Sequence, residues 1–360
     1  MITNNHQGPG KFIISVKKTG LLLLALAFTL LIALSTGCTS ASDSGNFTSQ
    51  ITFNQTNGET VTLPTVADRI VVLNSNAAEM LYVLGAGDKV VGVSEAVKTN
   101  SQRQYLFPDA VSVGGSTTPD AELITSLNPD VILAFDSMKP HNADTLEKSG
   151  IPIVYIDCYK LTNLSADVTA LGIISGKTEE AEDYIEFTDN IYSIIEERVD
   201  SIPESSYPVV YCEFSTDYII QGIGTSSDIL LNLAGGRNVL SEPIAGSSNL
   251  VSNEWIISKD PDVFVKLMKA ENISEMESTY SRVINRTGAS SMKAVRNNRT
   301  YVMLTDISYG PRSFAGAALM AKILHPDEFL DVDVHDLLEQ YNQRFNLNFS
   351  HENICYPDIS

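Results

Sequence analysis

DAELITSLNPDVILAF (residues 120–135) and SNEWIISKDPDVFVKL (residues 252–267) are two versions of one segment. Each reads Glu, apolar, Ile, any residue, Ser, any residue, Asn or Asp, Pro, Asp, Val, and then an apolar run. Glu122 stands as far from Asp130 as Glu254 does from Asp262. Each copy reads as a short amphipathic helix that passes through Asn/Asp-Pro into a buried strand. In the first copy Thr118, Pro119 and Asp120 make a helix start, and the glutamate falls in the first turn, where the helix dipole favours negative charge. One such glutamate is a charge complement to its own helix. Two in matched places point to a shared task.

A second echo occurs in the same order. LGAGDKVV (residues 84–91) resembles LAGGRNVL (residues 233–240), each following an amphipathic helix and carrying Gly where the chain turns out of it. The copies lie much further apart than the about 20–50 residues of a repeat array, so they indicate two related halves.

The surrounding chain fits two halves. ITFNQTNGETVTLP (residues 51–64) alternates around Asn-Gly and predicts a hairpin. RIVVLN, VVGVS, VILAF and IPIVYID then read as short buried strands, with helices predicted over 77–84, 142–148 and 163–175. Strands alternating with helices predict an α/β layer with a mainly parallel sheet. Thr178 to Ser201 holds no Gly or Pro and predicts one long helix, with acids crowding its first turn. After Pro203 the rhythm resumes: strands at PVVYCEF, YIIQG, VFVKLM and RTYVML, helices over 226–234, 313–324 and 334–345. The expected organisation is a signal peptide (1–37), a flexible tether (38–50), an N-terminal α/β lobe (51–177), a linking helix (178–201) and a C-terminal α/β lobe (202–360).

Composition bounds the function. With 43% hydrophobic residues over 360 positions, the chain can bury a core. A net charge of −20 argues against nucleic acid or an anionic membrane surface as the main partner. Lys17 and Lys18 precede the apolar run Leu21–Leu34, and STGC follows, ending at Cys38. This is an export signal, shorter than the about 20 apolar residues of a span. Thr36-Gly37-Cys38 resembles a lipobox, with Ser35 where such boxes usually carry Leu, so Cys38 is the expected lipidation site. Cys158, Cys212 and Cys355 remain, an odd number read as small buried residues, with a Cys158–Cys212 bridge also open. There is no G-x-S-x-G, HExxH, P-loop or CxxC, and the histidines are scattered, so neither catalysis nor a resident metal is expected. His325 reads as a helix C-terminal cap.

The ordered set ETVTLP, RIVVLNSNAAEMLYVLGAGDKVVGVS, VGGSTTPDAELITSLNPDVILAF, SGIPIVYID, LGIISGK, LLNLAGGRNV, VSNEWIISKDPDVFV and AVRNNRTYVM resembles the class III solute-binding proteins. These serve ABC importers for iron–siderophore, haem and cobalamin uptake, and the resemblance runs from about Ile51 to His325. It implies two Rossmann-like α/β lobes joined by a single long backbone helix, with a ligand cleft between the lobes and little closure on binding. It implies one glutamate on each lobe that docks to permease arginines, here Glu122 and Glu254. It implies a monomeric, non-enzymatic binding protein, anchored by lipid to the outer face of the cell membrane, whose partners are an ABC permease and its ATPase.

The expected cargo is an iron chelate, with no cofactor of the protein's own. The cleft loops should follow the strands, and there polar aromatics and arginine stack on planar groups and pair with chelate oxygens. The candidates are Tyr309 and Arg312 in DISYGPRS, then Tyr105, Tyr159, Tyr218 and Asn76. YGPRSFAGAALMAKILHPDEF resembles the ending of iron-complex binders. Cobalamin binders often carry an aromatic just before the second glutamate, where GSSNLVSNE has Ser247 and Ser248 instead. Cobalamin and haem remain alternatives, as do a chelatase-like enzyme and a signalling or adhesion module on the same scaffold.

Overall fold

The computed structural model describes residues 50–240, 248–350 and 352–359. The signal segment, Cys38, the tether up to residue 49 and Ser247 lie outside the described residues. No helix among the described residues is long and apolar enough to cross a membrane.

The chain opens with the predicted hairpin, β1 (Ile51–Asn54) against β2 (Thr60–Leu63), antiparallel. The first lobe follows as β3 (Ile70–Val72), α1 (Ser75–Val83), β4 (Val90–Val93), α2 (Glu95–Lys98), β5 (Val111–Ser112), α3 (Ala121–Ser126), β6 (Val131–Ala134), α4 (Ala143–Lys148), β7 (Ile153–Tyr155) and α5 (Leu161–Ser175). Its five strands lie in the order β5-β4-β3-β6-β7, all parallel. Such a sheet is covered on both faces, and β3 and β6 are accordingly buried throughout.

The long helix α6 (Thr178–Asp200) links the lobes. Ala181, Tyr184, Phe187, Thr188, Ile191, Ile195 and Val199 recur every three or four residues and form its buried stripe. Glu179 and Glu180 sit in the first turn and Arg198 in the last, the arrangement the helix dipole favours. At 1.5 Å per residue α6 spans about 35 Å. It packs on α5 of the first lobe and on α12 (Ser313–Leu324) of the second.

The second lobe contains β8 (Val209–Glu213), β9 (Ile219–Gln221), α7 (Ser226–Leu233), β10 (Arg237–Asn238), β11 (Ser248–Leu250), α8 (Asn253–Lys259), β12 (Val263–Met268), α9 (Ile273–Ile284), α10 (Lys293–Arg296), β13 (Thr300–Leu304) and α11 (Thr305–Ser308). After α12 come α13 (Val334–Arg344) and a last strand, β14 (Cys355–Tyr356). Gly316 lets α12 lie on α11: a Cβ there would stand 2.0 Å from the Ile307 carbonyl oxygen. The second sheet runs β11-β9-β8-β12-β13-β14, with β10 also paired to β8. Its parallel part reads β10-β8-β12-β13, the counterpart of β4-β3-β6-β7. The second echo therefore does the same work in both lobes: it turns the chain out of a helix into the strand beside the lobe's first strand.

The doubled segment also folds the same way twice. Asp120 caps α3 through the Leu123 N–H, and Ser252 caps α8 through the Trp255 N–H. Asn128 and Asp260 end these helices in the left-handed region, φ 47° and 44°, which Asn and Asp enter more readily than other side-chain-bearing residues. Asp130 then accepts the N–H groups of Asp68 and Arg69 at 2.8 Å, and Asp262 accepts that of Val209 at 2.9 Å. Each aspartate ties the entry of its own strand to that of the neighbouring one. Ser126 and Ser258 donate back to the Leu123 and Trp255 carbonyls of their own helices, each at 2.7 Å. Caps, turn, anchor and these serines account for every repeated polar position except the glutamate.

A single apolar cluster runs from Phe53 through Val72, Leu171, Tyr184 and Phe187 to Phe314 and Cys355, so both lobes and α6 share one core. Cys158, Cys212 and Cys355 are free and buried, and the Cys158–Cys212 bridge does not form. His325 is the C-cap of α12, its Nε2 2.9 Å from the Gly235 carbonyl oxygen.

Candidate functional site

Between the lobes lies a cavity of about 280 Å³. The first lobe lines it with Ser75, Asn76, Arg103, Phe135, Ser137, Met138 and Tyr159, the second with Lys269, Thr305, Asp306 and Tyr309. Most of these residues come just after the C-terminal ends of β3, β6, β7, β12 and β13, the end at which open α/β sheets bind ligands. An adjoining cavity of about 480 Å³ shares Lys269 and Asp306 and continues the cleft along residues 96–102 and 270–275.

Local chemistry fixes these loops. Asn74 caps α1 through the N–H groups of Asn76 and Ala77, while its amide nitrogen donates to the carbonyls of Ile156 and Asp157. One side chain thus ties the Asn76 loop to the Tyr159 loop. Gly310, at φ 83°, donates to the Tyr159 carbonyl at 3.3 Å, and its Cβ position faces Asn76 Oδ1 at 3.3 Å. A side chain there would push Tyr309 away from the first lobe.

The electrostatic centre lies behind this wall. Glu79, in the middle of α1 and fully buried, accepts from Arg103 Nε at 2.8 Å and from Arg312 Nε at 2.8 Å and Nη2 at 3.2 Å. Asp306 stands 3.7 Å from Arg103 and 3.9 Å from Arg312. Burial works against the Asp306 carboxylate, but Arg103 and then Arg312 outweigh it and hold its pKa below the usual range. Burial likewise opposes the Arg312 charge, and Glu79 and Asp306 overcome it. Burial, helped by Asp306, pushes the Tyr309 phenol up to about 12, so it stays protonated and able to donate. Lys269 is exposed on the rim and makes no ion pair among the described residues.

Asn76, Tyr159 and Tyr309 are therefore gathered around one cavity. Arg312 is not on its surface: at 2% exposure its guanidinium is used up by Glu79 and Gln102 and lies over Phe349. Tyr105 points to the C-terminal tail, where its hydroxyl donates to the Asn348 carbonyl at 3.1 Å and its ring meets Phe349. Tyr218, at φ 64°, lies beneath Arg286, 4.4 Å from ring centre to guanidinium. Its loop is filled by a second charge cluster, in which buried Glu213 takes Lys266 and a two-pronged Arg286, and Asp217 takes Lys266 and Arg282. Arg103, Lys269 and Asp306 are site residues beyond the sequence candidates, although Lys269 and Asp306 fall just after strands, where cleft loops are expected. Glu79 carried a signal of its own: a lone charge inside AAEMLYVL, where the helix is otherwise apolar.

Glu122 and Glu254 are both exposed, each in the first turn of its helix. Glu254 is held below the usual carboxylate range by its own backbone N–H and then by the Ser252 hydroxyl.

Comparison with known proteins agrees with this architecture. Residues 70–306 match the periplasmic binding protein family. YvrC of Bacillus subtilis (strain 168), an uncharacterized ABC transporter substrate-binding lipoprotein, is 25% identical over 289 residues, 78% of this chain and 87% of its own. A cobalamin-binding protein of Halobacterium salinarum is 28% identical over 277 residues, 74% of this chain and 71% of its own. Among solved structures, the TroA-like periplasmic binding protein FepB of Veillonella parvula superposes with a TM-score of 0.71 at 24% identity, over 84% of this chain and 97% of its own, a likeness of fold. These relatives are transport binding proteins and not enzymes. With a match that spans α6 and reaches into both lobes, the chain belongs to the periplasmic binding protein family, as a substrate-binding protein of an ABC transporter.

Proposed function

We propose that this substrate-binding protein captures a metal chelate in the cleft between its lobes, a ferric chelate first of all, and delivers it to its ABC permease and ATPase. Lipid on Cys38 would keep it at the outer face of the membrane. The observation that carries the reading is the joint lining of one cavity by Arg103 and Tyr159 from one lobe and Lys269 and Tyr309 from the other. Cations and phenol donors around a common space suit the carboxylate, catecholate or hydroxamate oxygens that surround a chelated ferric ion. Asn76 and Ser137 add polar contacts to that wall.

Cobalamin is the second reading, favoured by the cobalamin-binding relative. Against it, a corrin needs a broad apolar platform, and the single tryptophan, Trp255, lies on α8 in a different cluster. Calorimetric titration with ferric catecholate and hydroxamate chelates, haemin and cyanocobalamin separates the readings. Micromolar or tighter binding of a ferric chelate is expected. Binding of cyanocobalamin alone replaces the first reading with the second, and silence from all four overturns both.

A further inference from the structure

The Glu79 cluster joins the lobes. Glu79 belongs to α1 of the first lobe and Arg312 to the start of α12 in the second. Every hydrogen bond of the Arg312 guanidinium among the described residues goes to a first-lobe side chain: Glu79 twice, and Gln102 Oε1 at 2.7 Å. Glu79 Oε2 is shared between Arg312 and Arg103, one arginine from each lobe. Two arginines against Glu79 and Asp306 leave the group neutral. The open face of Arg312 is closed by Phe349 at 4.7 Å. A buried ion pair is poor value for stability alone, because an apolar pair of similar volume does as well or better. Its geometry, however, is directional: separating the lobes at the cleft would draw Arg312 off Glu79 and Gln102, leaving Glu79 to Arg103 alone and Arg312 with only Asp306 at 3.9 Å.

We infer that Glu79 and Arg312 form an interlobe latch that sets the width of the ligand-free cleft and holds Arg103 at its wall. Glu79 is a positioning residue here, since it lines neither cavity. The consequence for binding rests on the cleft being the ligand site, but the latch itself is tested without ligand. Spin labels are placed on the exposed positions Thr125→Cys in α3 and Ser258→Cys in α8, and the interlobe distance distribution is measured by pulsed dipolar spectroscopy. Cys38 is replaced by serine, and the three remaining native thiols are buried and take no label. Arg312→Met leaves Glu79 paired with Arg103, so the first lobe keeps its internal ion pair. The double variant Glu79→Gln/Arg312→Met leaves Arg103 with Asp306 and serves if the single variant does not fold, as judged by circular dichroism.

In the folded variant the distribution should roughly double in width and move to longer distance, as expected of a released two-state element. A distribution that superposes on that of the parent protein in a folded variant overturns the latch. Because no chelate is present, failure of the titration screen would leave this result standing, and failure here would leave the screen standing.

Discussion

Glu122 and Glu254 are the charges that the doubled segment leaves over once its caps, turns and anchors are assigned. Their matched exposure suits charge-assisted pairing with arginines on a membrane partner. Reversal at both, Glu122→Arg with Glu254→Arg, should abolish chelate uptake by cells while calorimetric affinity stays unchanged; a loss of affinity would contradict docking. In the cleft, Lys269→Ala should weaken binding of a ferric chelate by about tenfold or more, the worth of one charged hydrogen bond. Tyr218→Phe, outside the lining of the cleft cavities, should leave binding unchanged. Asp167 governs a pH effect. It accepts from the Thr56 hydroxyl at 2.6 Å and the Cys158 N–H at 2.8 Å, yet burial outweighs both and raises its pKa from 3.8 to about 6. A carboxyl raised in the folded state adds stability that is fully present below its unfolded pKa and lost as pH rises through the folded one. Acidification from about pH 7 to pH 5 should therefore raise the urea midpoint, through a term on the order of 1 kcal/mol. Asp167→Asn should flatten that rise.

At the scale of elements, the sequence announces whatever is periodic or locally capped. The stripe of α6, the buried runs of β3, β6 and β12, and the Asn/Asp-Pro turns all carry their cause within a few residues. Asn128→Ala tests one such cause: it asks an ordinary side chain to hold φ 47° and should cost about 1–2 kcal/mol in chemical denaturation. The short strands β10, β11 and β14 had no such signal, because two- or three-residue pairings are decided by the neighbour they meet. The amphipathic α9 carries its signal too, with Ile273, Met276, Tyr280 and Val283 at helical spacing. For the site, loop identity could be read from strand order, but loop orientation could not. Asn76, Tyr159 and Tyr309 face the cavity, while Tyr105, Tyr218 and Arg312 turn to partners distant in sequence: Asn348, Arg286 and Glu79.

At the scale of the whole molecule, the core does not stop at the lobe boundary. The apolar cluster passes through α6, so calorimetry should show one unfolding transition despite two sheets. A separate low-temperature peak would mean that the lobes fold independently. The three sealed thiols have a consequence of their own. Cys158 follows the first sheet beside the cleft, Cys212 sits in β8 at the centre of the second, and Cys355 lies in the two-residue strand at its edge. Native alkylation can reach each sulfur only when its neighbourhood opens, so the chain carries a three-handed clock for local unfolding. Cys355 should be modified first, and the interval before Cys212 follows measures how much longer the centre of the sheet stays shut than its border.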